Sequence, residues 1–598
     1  MQDGTIMATK IELPALVRRK KAQSYKNFNV GVYCPVSTIN RVTDFTKHGE
    51  EFKRITDHVK VGRVYLENFR GNQWCDKDQL IRARDYFASI GIDTAGGITT
   101  CAADGKKDGF VSLCYSDEED RKKLKKAVIM NAEVFDELIF DDFYFVNCRC
   151  DKCIENKGDR TWSEFRLAQR KEVTENLVMK PAKETNPNIN VIVKYPQWFE
   201  DFNECGYDLA TDTDMFDSIY TGTETRNPTY CQQHLPKYLS YTTMRLYGSD
   251  HPGCNLGGWF DCFETSYNIT SYLEQFYLTM FAKSPEAMLF CNASFMYDPQ
   301  FKVYAAVVGK AMDDLDSYMD KLGNPVGVMA YHPSYGRGEN NLHSYLGQCG
   351  IPMEPTLIYP ENAKDVFLAE SAVDDKDIVK KMKASLKNGA NVIVTSGFVR
   401  RLGQTFEKEF ARVIYSSRKA IVKDYCVSWS HGVSLGGKLA GAKEIMIPQL
   451  DYCTNDVWEM AGAYGTDNNF PIVLRWAYSN GNISVITIPD DMGDLYNYPV
   501  EVLDVIKDQF YQTTEIKISA PAGVQLFVYD NDTIIIRSDL PYVTLATLQL
   551  PDGKTKVTDL VTGRVLESTK KPVQAMEDVH NVITAELSCG INYVLKLS

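Results

Sequence analysis

From Asn29 to about Phe295 the chain repeats one pattern, a short apolar run that ends in polar or glycine residues, followed by a longer segment with helical spacing. Such alternation predicts βα units, because a buried strand reads as a continuous apolar run and its crossover as an amphipathic helix. Eight runs qualify: Val30–Pro35, Val61–Glu67, Ile92–Ile98, Leu138–Phe143, Val191–Tyr195, Ser218–Gly222, Gly258–Asp261 and Ala287–Cys291. Among the intervening helices are Ser116–Asn131, with Ser116 as its cap and Asp117, Glu118 and Glu119 in its first turn, and Trp162–Lys180. Eight units in this span predict a closed (β/α)8 TIM barrel, whose functional residues gather at the C-terminal strand ends.

The 598 residues leave room for more. After the barrel, Gly327–Tyr331, Met353–Leu357, Val366–Leu368, Val392–Thr395 and Glu444–Ile447 read as strands with helices such as Asp375–Asn388 between them, an open α/β domain that closes near Ile483–Ile488 and the helix Pro499–Gln512. Beyond Thr514 the period changes to two, as in Val524-Gln525-Leu526-Phe527-Val528-Tyr529, with turns at Asp530-Asn531-Asp532 and Pro551-Asp552-Gly553. The expected organisation is an N-terminal extension over 1–27, the barrel over 28–320, an α/β domain over 321–513 and a β-sandwich over 514–598.

A net charge of −13 argues against a nucleic-acid partner, since phosphate contacts need a basic surface; the run Arg18-Arg19-Lys20-Lys21 reads as a solvated N-terminal face. No segment of membrane-spanning length and no secretory leader is seen, so no membrane partner and a cytoplasmic setting are expected. The 16 cysteines are dispersed, several within apolar runs such as Leu289-Phe290-Cys291, which favours reduced thiols.

Three of those thiols form the most specific local motif, Cys148-x-Cys150-x-x-Cys153, just after the fourth strand. Thiols at this spacing converge on one soft ion, and a structural Zn²⁺ asks for four ligands. Cys101, after the neighbouring third strand, is the first candidate for the fourth ligand and Cys114 the second. With four protein ligands such an ion staples loops and does no chemistry.

The fourth strand ends on Asp141-Asp142, set between Leu138-Ile139-Phe140 and Phe143-Tyr144-Phe145. Acids in a run that would otherwise be buried are expected to be paired or functional. Alternation along a strand would send only one of them to the barrel axis, and Asp142 is the expected one, with Asp141 in support. Thr221-Gly222-Thr223-Glu224-Thr225-Arg226 ends the sixth strand in the same abrupt way, making Glu224 the second catalytic candidate and Arg226 a residue to orient a carboxylate or bind substrate. Glu67, Asp141, Trp198, Arg226, Trp259 and Asp261 are the expected substrate-binding residues, the tryptophans offering faces for a sugar ring.

A strand-four carboxylate followed by Cys148-x-Cys150-x-x-Cys153, an isolated Cys101, a loosely matching Pro489–Tyr496 segment and this domain order resemble family 42 glycoside hydrolases, the β-galactosidase group. The resemblance implies an exo-acting, galactosidase-like enzyme on a carbohydrate substrate, a structural zinc and no organic cofactor, an amidotransferase-like middle domain without its catalytic residues, and a homotrimer. That family carries an Asn-Glu pair at strand four and a Glu at strand seven, where this chain has Asp141-Asp142 and Asp261. A strand-four Asp with a strand-six acid is similar instead to α-galactosidase-type and α-fucosidase-type barrels, which makes Asp142 the expected nucleophile and Glu224 the acid/base, with retention. The alternatives are Asp142 as acid/base with Asp261 as nucleophile, or a non-catalytic carbohydrate-binding barrel. Cys349 and Cys426, with His332 or His431 as base, lie in no Gly-x-Cys-x-Gly elbow and are read as incidental thiols.

Overall fold

A computed structural model describes residues 24–71, 73–102, 111–429, 433–434, 438–465, 468–510, 515–572 and 579–598. The basic run at 18–21, most of the expected N-terminal extension and His431 lie outside the described residues. The chain divides into two compact units, the first running through Arg226 and resuming over Tyr247–Asp316, the second comprising Asn227–Leu246 and Ser317–Ser598.

The first unit is the barrel. Its strands are β1 Asn29–Cys34, β2 Arg63–Arg70, β3 Asp93–Thr99, β4 Glu137–Phe140, β5 Asn190–Tyr195, β6 Ser218–Gly222, β7 Asn255–Asp261 and β8 Glu286–Phe290. Each pairs in parallel with its neighbours, and β1 pairs with both β2 and β8, so the sheet closes without an edge. One side chain from each strand fills the interior: Tyr33, Tyr65, Ala95, Ile139, Ile192, Tyr220, Trp259 and Met288 form a single buried cluster.

Below this layer lies a second, ionic one. Arg63 pairs with Glu137, and the hydroxyls of Tyr65 and Tyr220 donate to Glu286 at 2.8 and 3.1 Å. Above it, the period of two along each strand decides what faces the mouth. Two residues past the interior layer come Glu67 on β2, Gly97 on β3, Asp141 after β4, Lys194 on β5, Gly222 on β6, Asp261 on β7 and Phe290 on β8.

Two helices depart from expectation in detail. The helix after β3 spans Glu118–Val134 and is capped by Asp117, whose carboxylate accepts from Glu119 N–H. Ser116 is one residue too early to cap it, and its hydroxyl instead accepts from Gln169 and from the Cys153 thiol. The helix Trp162–Val173 continues through a π-helical stretch, Thr174–Met179, into Lys180–Thr185.

In the second unit, parallel strands Met353–Thr356, Val328–Tyr331, Asp365–Leu368, Asn391–Thr395 and Gly481–Ile486 lie side by side in that order. The sheet continues through antiparallel Asn469–Tyr478, Trp458–Tyr464 and Val413–Trp429, the last paired with Leu439–Tyr452. Glu444–Ile447, expected as a strand of the parallel set, belongs to this long hairpin. The chain ends in a six-stranded and a four-stranded sheet that share one apolar core, Leu526, Ile534 and Leu595 on one side meeting Ile518, Leu548 and Ile583 on the other. All 16 cysteines are free thiols, and among the described residues no helix is long and apolar enough to cross a membrane.

Candidate active site

Lys194 organises the barrel mouth. It is the one cation in the apolar run Asn190-Val191-Ile192-Val193-Lys194-Tyr195, and its inward direction on β5 leaves the side chain 2% exposed. Its ammonium meets Glu224 Oε1 at 2.5 Å, Asp142 Oδ2 at 3.0 Å and Asp141 Oδ1 at 3.6 Å, and stands 4.5 Å from the centre of the Trp259 ring.

Both strand-four acids therefore reach one lysine, contrary to the expectation that alternation would separate them. The strand stops at Phe140, and a turn follows in which Tyr144 N–H donates to Asp141 O and Asp142 N–H to Asp141 Oδ1. That turn swings Asp142 back toward the axis. Its carbonyl is held by the Tyr207 hydroxyl at 2.6 Å, and Tyr207 lies against the buried Arg170, which is paired with Asp212.

The acids differ in setting. Burial pushes the Asp141 carboxyl up, but Lys194 and Arg70 together bring it below its ordinary value. Burial also raises Asp142, and Lys194 offsets this only in part because Asp141 repels a second negative charge. Glu224 is raised to about 7 by burial, with Lys194 opposing and Asp142 and Asp261 reinforcing the rise. Its Oε2 is buried without a hydrogen-bond partner, whereas the Asp142 side chain is 26% exposed.

Of the expected substrate-binding residues, Glu67 is fully buried and accepts from Tyr33 OH, Val36 N–H, Arg70 and Thr99, so it is sealed beneath the site and holds Arg70 in place. Asp141 is likewise an internal support, bound by Arg70 at 2.7 Å and by Lys194. Trp259 is 1% exposed in the barrel interior and gives its face to Lys194, not to an open pocket. Trp198 is half-buried against Phe145, Phe202 and Tyr207. Arg226, at φ 55°, grips both oxygens of Asp261 at 3.1 and 2.9 Å, and Phe263 N–H donates to the same carboxylate.

Sequence reasoning passed over Lys194 and Arg70. The signal was present for Lys194, since a lone charge inside an apolar strand is the criterion that drew attention to Asp141-Asp142. Arg70 carried no comparable mark, standing at the end of its strand.

The thiol cluster forms with a different fourth member. Cys114, Cys148, Cys150 and Cys153 have their sulfurs within 4.8 Å of one another, with 3.5 Å between Cys114 and Cys153 and 3.7 Å from Cys150 to each of these two. A tetrahedral ion bound at the Zn–S length spaces its sulfurs about 3.8 Å apart, so the four fit one metal. Cys101 is not among the four: its backbone bridges to Ser112 and it lies in the field of Arg70, Glu67 and Asp141, whereas Cys114, two residues past that bridge, stands in the cluster.

A family model described as "Probable glycosyl hydrolase, catalytic domain" matches residues 17–320, and this chain belongs to that family. Models for the second domain of the uncharacterised protein SSO3021 and for a probable glycosyl hydrolase C-terminal domain match 323–491 and 515–588. SSO3021 of Saccharolobus solfataricus is 24% identical over 92% of this chain and 97% of its own length. Among solved structures, the β-galactosidase of Bacillus circulans superposes with a TM-score of 0.62 at 12% identity, over 97% of this chain and 100% of that one. An α-L-fucosidase isoenzyme of Paenibacillus thiaminolyticus gives 0.63 at 12% identity, over 96% and 99%. These likenesses show that the fold, a barrel followed by further sheet domains, is shared with those proteins over nearly the whole chain.

Proposed function

We propose that this protein removes a terminal sugar from an oligosaccharide or glycoconjugate with retention of anomeric configuration, Asp142 acting as nucleophile and Glu224 as acid/base. One observation carries the pairing. Because Asp142 Oδ2 and Glu224 Oε1 touch the same nitrogen, at 3.0 and 2.5 Å, they lie no farther apart than those two lengths end to end, 5.5 Å. Retaining pairs stand about 5–5.5 Å apart, whereas inverting pairs need about 6.5–9.5 Å to admit a water.

The environments suit the roles. Glu224, raised to about 7, keeps a proton to give to the leaving oxygen, and the more exposed Asp142 attacks the anomeric carbon. Water then attacks the glycosyl ester while Glu224 takes its proton. With Glu224 protonated, the carboxylates of Glu67, Asp141 and Asp142 outnumber the two cations they contact, Arg70 and Lys194, by one, a balance that favours an oxocarbenium-like transition state. Asp261 is a poorer nucleophile, since Arg226 and Phe263 N–H occupy its oxygens. We further assign Cys114, Cys148, Cys150 and Cys153 to a structural zinc that braces the loop after β4.

The test is a panel of aryl glycosides that includes β-galactosides and α-fucosides. Glu224→Gln is expected to lower kcat/KM on the substrate found by roughly 10²–10⁴-fold, and Asp142→Asn to abolish turnover. A parent protein inactive on the whole panel, or variants as active as the parent, would refute the assignment.

A further inference from the structure

Lys194 faces more negative charge than it can balance. Around it stand Asp141 and Asp142 from the turn after β4 and Glu224 after β6, with the Trp259 ring beneath. Among the described residues Arg70 is the other cation in contact with this group, bridging Asp141 to Glu67, while Arg226 is taken by Asp261 and Glu264. Were all four of Glu67, Asp141, Asp142 and Glu224 ionised, two cations would face four buried or half-buried anions, and such an excess is costly in a poorly solvated site.

We propose that Lys194 is a positioning residue that keeps one negative charge, and one only, shared between Asp142 and Glu224 throughout the catalytic cycle. This rests on those two acids being the reacting pair. In the free enzyme the anion is Asp142, the better solvated of the two, and the proton sits on Glu224, whose Oε2 has no other partner. In the first step the bond from Asp142 to the anomeric carbon forms as the bond to the leaving oxygen breaks, and the Glu224 proton passes to that oxygen. Asp142 is then a neutral ester and Glu224 the anion. In the second step water bonds to the anomeric carbon, the ester bond breaks, and the water proton returns to Glu224. The negative charge moves from one partner of Lys194 to the other and back, and the ammonium never loses a counter-ion.

The residue type fits the task. An ammonium is a compact charge with three donors, and three carboxylates converge on it; a guanidinium would spread its charge over a rigid plane. The lysine cannot swing away, because its stem is buried in the strand and its head rests on Trp259. Among the described residues Asp261, whose charge acts on Glu224, Tyr207, held on the Asp142 carbonyl, and Tyr247, which lies in the field of Glu224, also face the pair.

Two measurements test this, the first without any substrate. Thermal unfolding of the parent and of Lys194→Gln is followed from about pH 5 to about pH 8. Without the lysine both acids are held above their unfolded values, so the folded variant binds more protons than the unfolded chain and loses stability as the pH rises. The expected result is a melting-temperature gap that widens with pH and narrows when Glu224→Gln is added. Should Lys194→Gln fail to fold, the double variant is still expected to fold, because it takes away, along with the lysine, an acid whose ionisation beside Asp142 the lysine would otherwise have to offset. A gap that is the same at every pH, or a double variant no better than the single one, overturns the proposal.

The second measurement is the pH profile of kcat/KM on a dinitrophenyl glycoside of the sugar found in the panel, whose leaving group needs little acid assistance. Its acid limb reports Asp142. Lys194→Gln should move that limb upward by about one unit or more, and Lys194→Arg, which keeps the charge, should restore most of it. An unmoved limb, with Asp142→Asn inactive on this substrate and Glu224→Gln impaired on a glycoside whose leaving group does need a proton, would sink the role of the lysine alone; an active Asp142→Asn, or a Glu224→Gln unimpaired on that poorer leaving group, would sink the pairing itself.

Discussion

Gly222 shows how tightly single residues constrain the site. A β-carbon built there would lie 2.6 Å from Glu224 Oε2, 2.9 Å from Tyr195 O and 3.1 Å from the Pro196 α-carbon. Two of these neighbours are backbone and cannot move aside cheaply, so the acid must. Gly222→Ala is expected to lower kcat/KM at least tenfold while costing about 1–3 kcal/mol of stability, the first read from initial rates and the second from denaturant unfolding. Activity equal to that of the parent would mean that Glu224 is not held where its chemistry requires. The glycine and both acids were legible in the sequence, because an abrupt change from apolar to polar is a local property. How the acids share Lys194 was not, since it depends on three strands and on a turn at Asp141 that no periodicity announces.

At the scale of elements, the loop after β3 decides which cysteine joins the cluster. Adjacent strands do bring their loops together, but Cys101 is bridged to Ser112 and it is Cys114, two residues beyond the bridge, that joins the cluster. Long loops are beyond reasoning from spacing, because their path is set by side-chain and backbone hydrogen bonds such as that from Cys114 N–H to Asp120. Metal analysis of purified variants separates the two cysteines: Cys114→Ser is expected to lose its bound zinc, and Cys101→Ser to retain one ion per chain. Equal zinc content in both variants, or none in the parent, would contradict the assignment. Loss of the ion should also lower thermal stability, since the four thiols join the loop after β3 to the one after β4.

Across the whole molecule, the parts that the sequence made plain are those whose burial is complete. The eight barrel strands stand close to the predicted runs because both of their faces are covered, so each has a continuous apolar stretch, the charges standing mostly toward its ends. The hairpin of Val413–Trp429 with Leu439–Tyr452 escaped notice for the opposite reason. One of its faces is solvated, and exposed residues such as Ile421 and Met446, paired across it, blur the alternation. The mouth of the barrel lies between these extremes, a polar cluster grown on apolar strands, and its charges are where the catalytic reading is exposed to experiment. The most direct test follows the anomeric configuration of the first-formed sugar by proton NMR during hydrolysis of an aryl glycoside. The Asp142–Glu224 pair, with its oxygens no more than 5.5 Å apart, predicts that the product appears with the configuration of the substrate and mutarotates later. Initial appearance of the opposite anomer would contradict it.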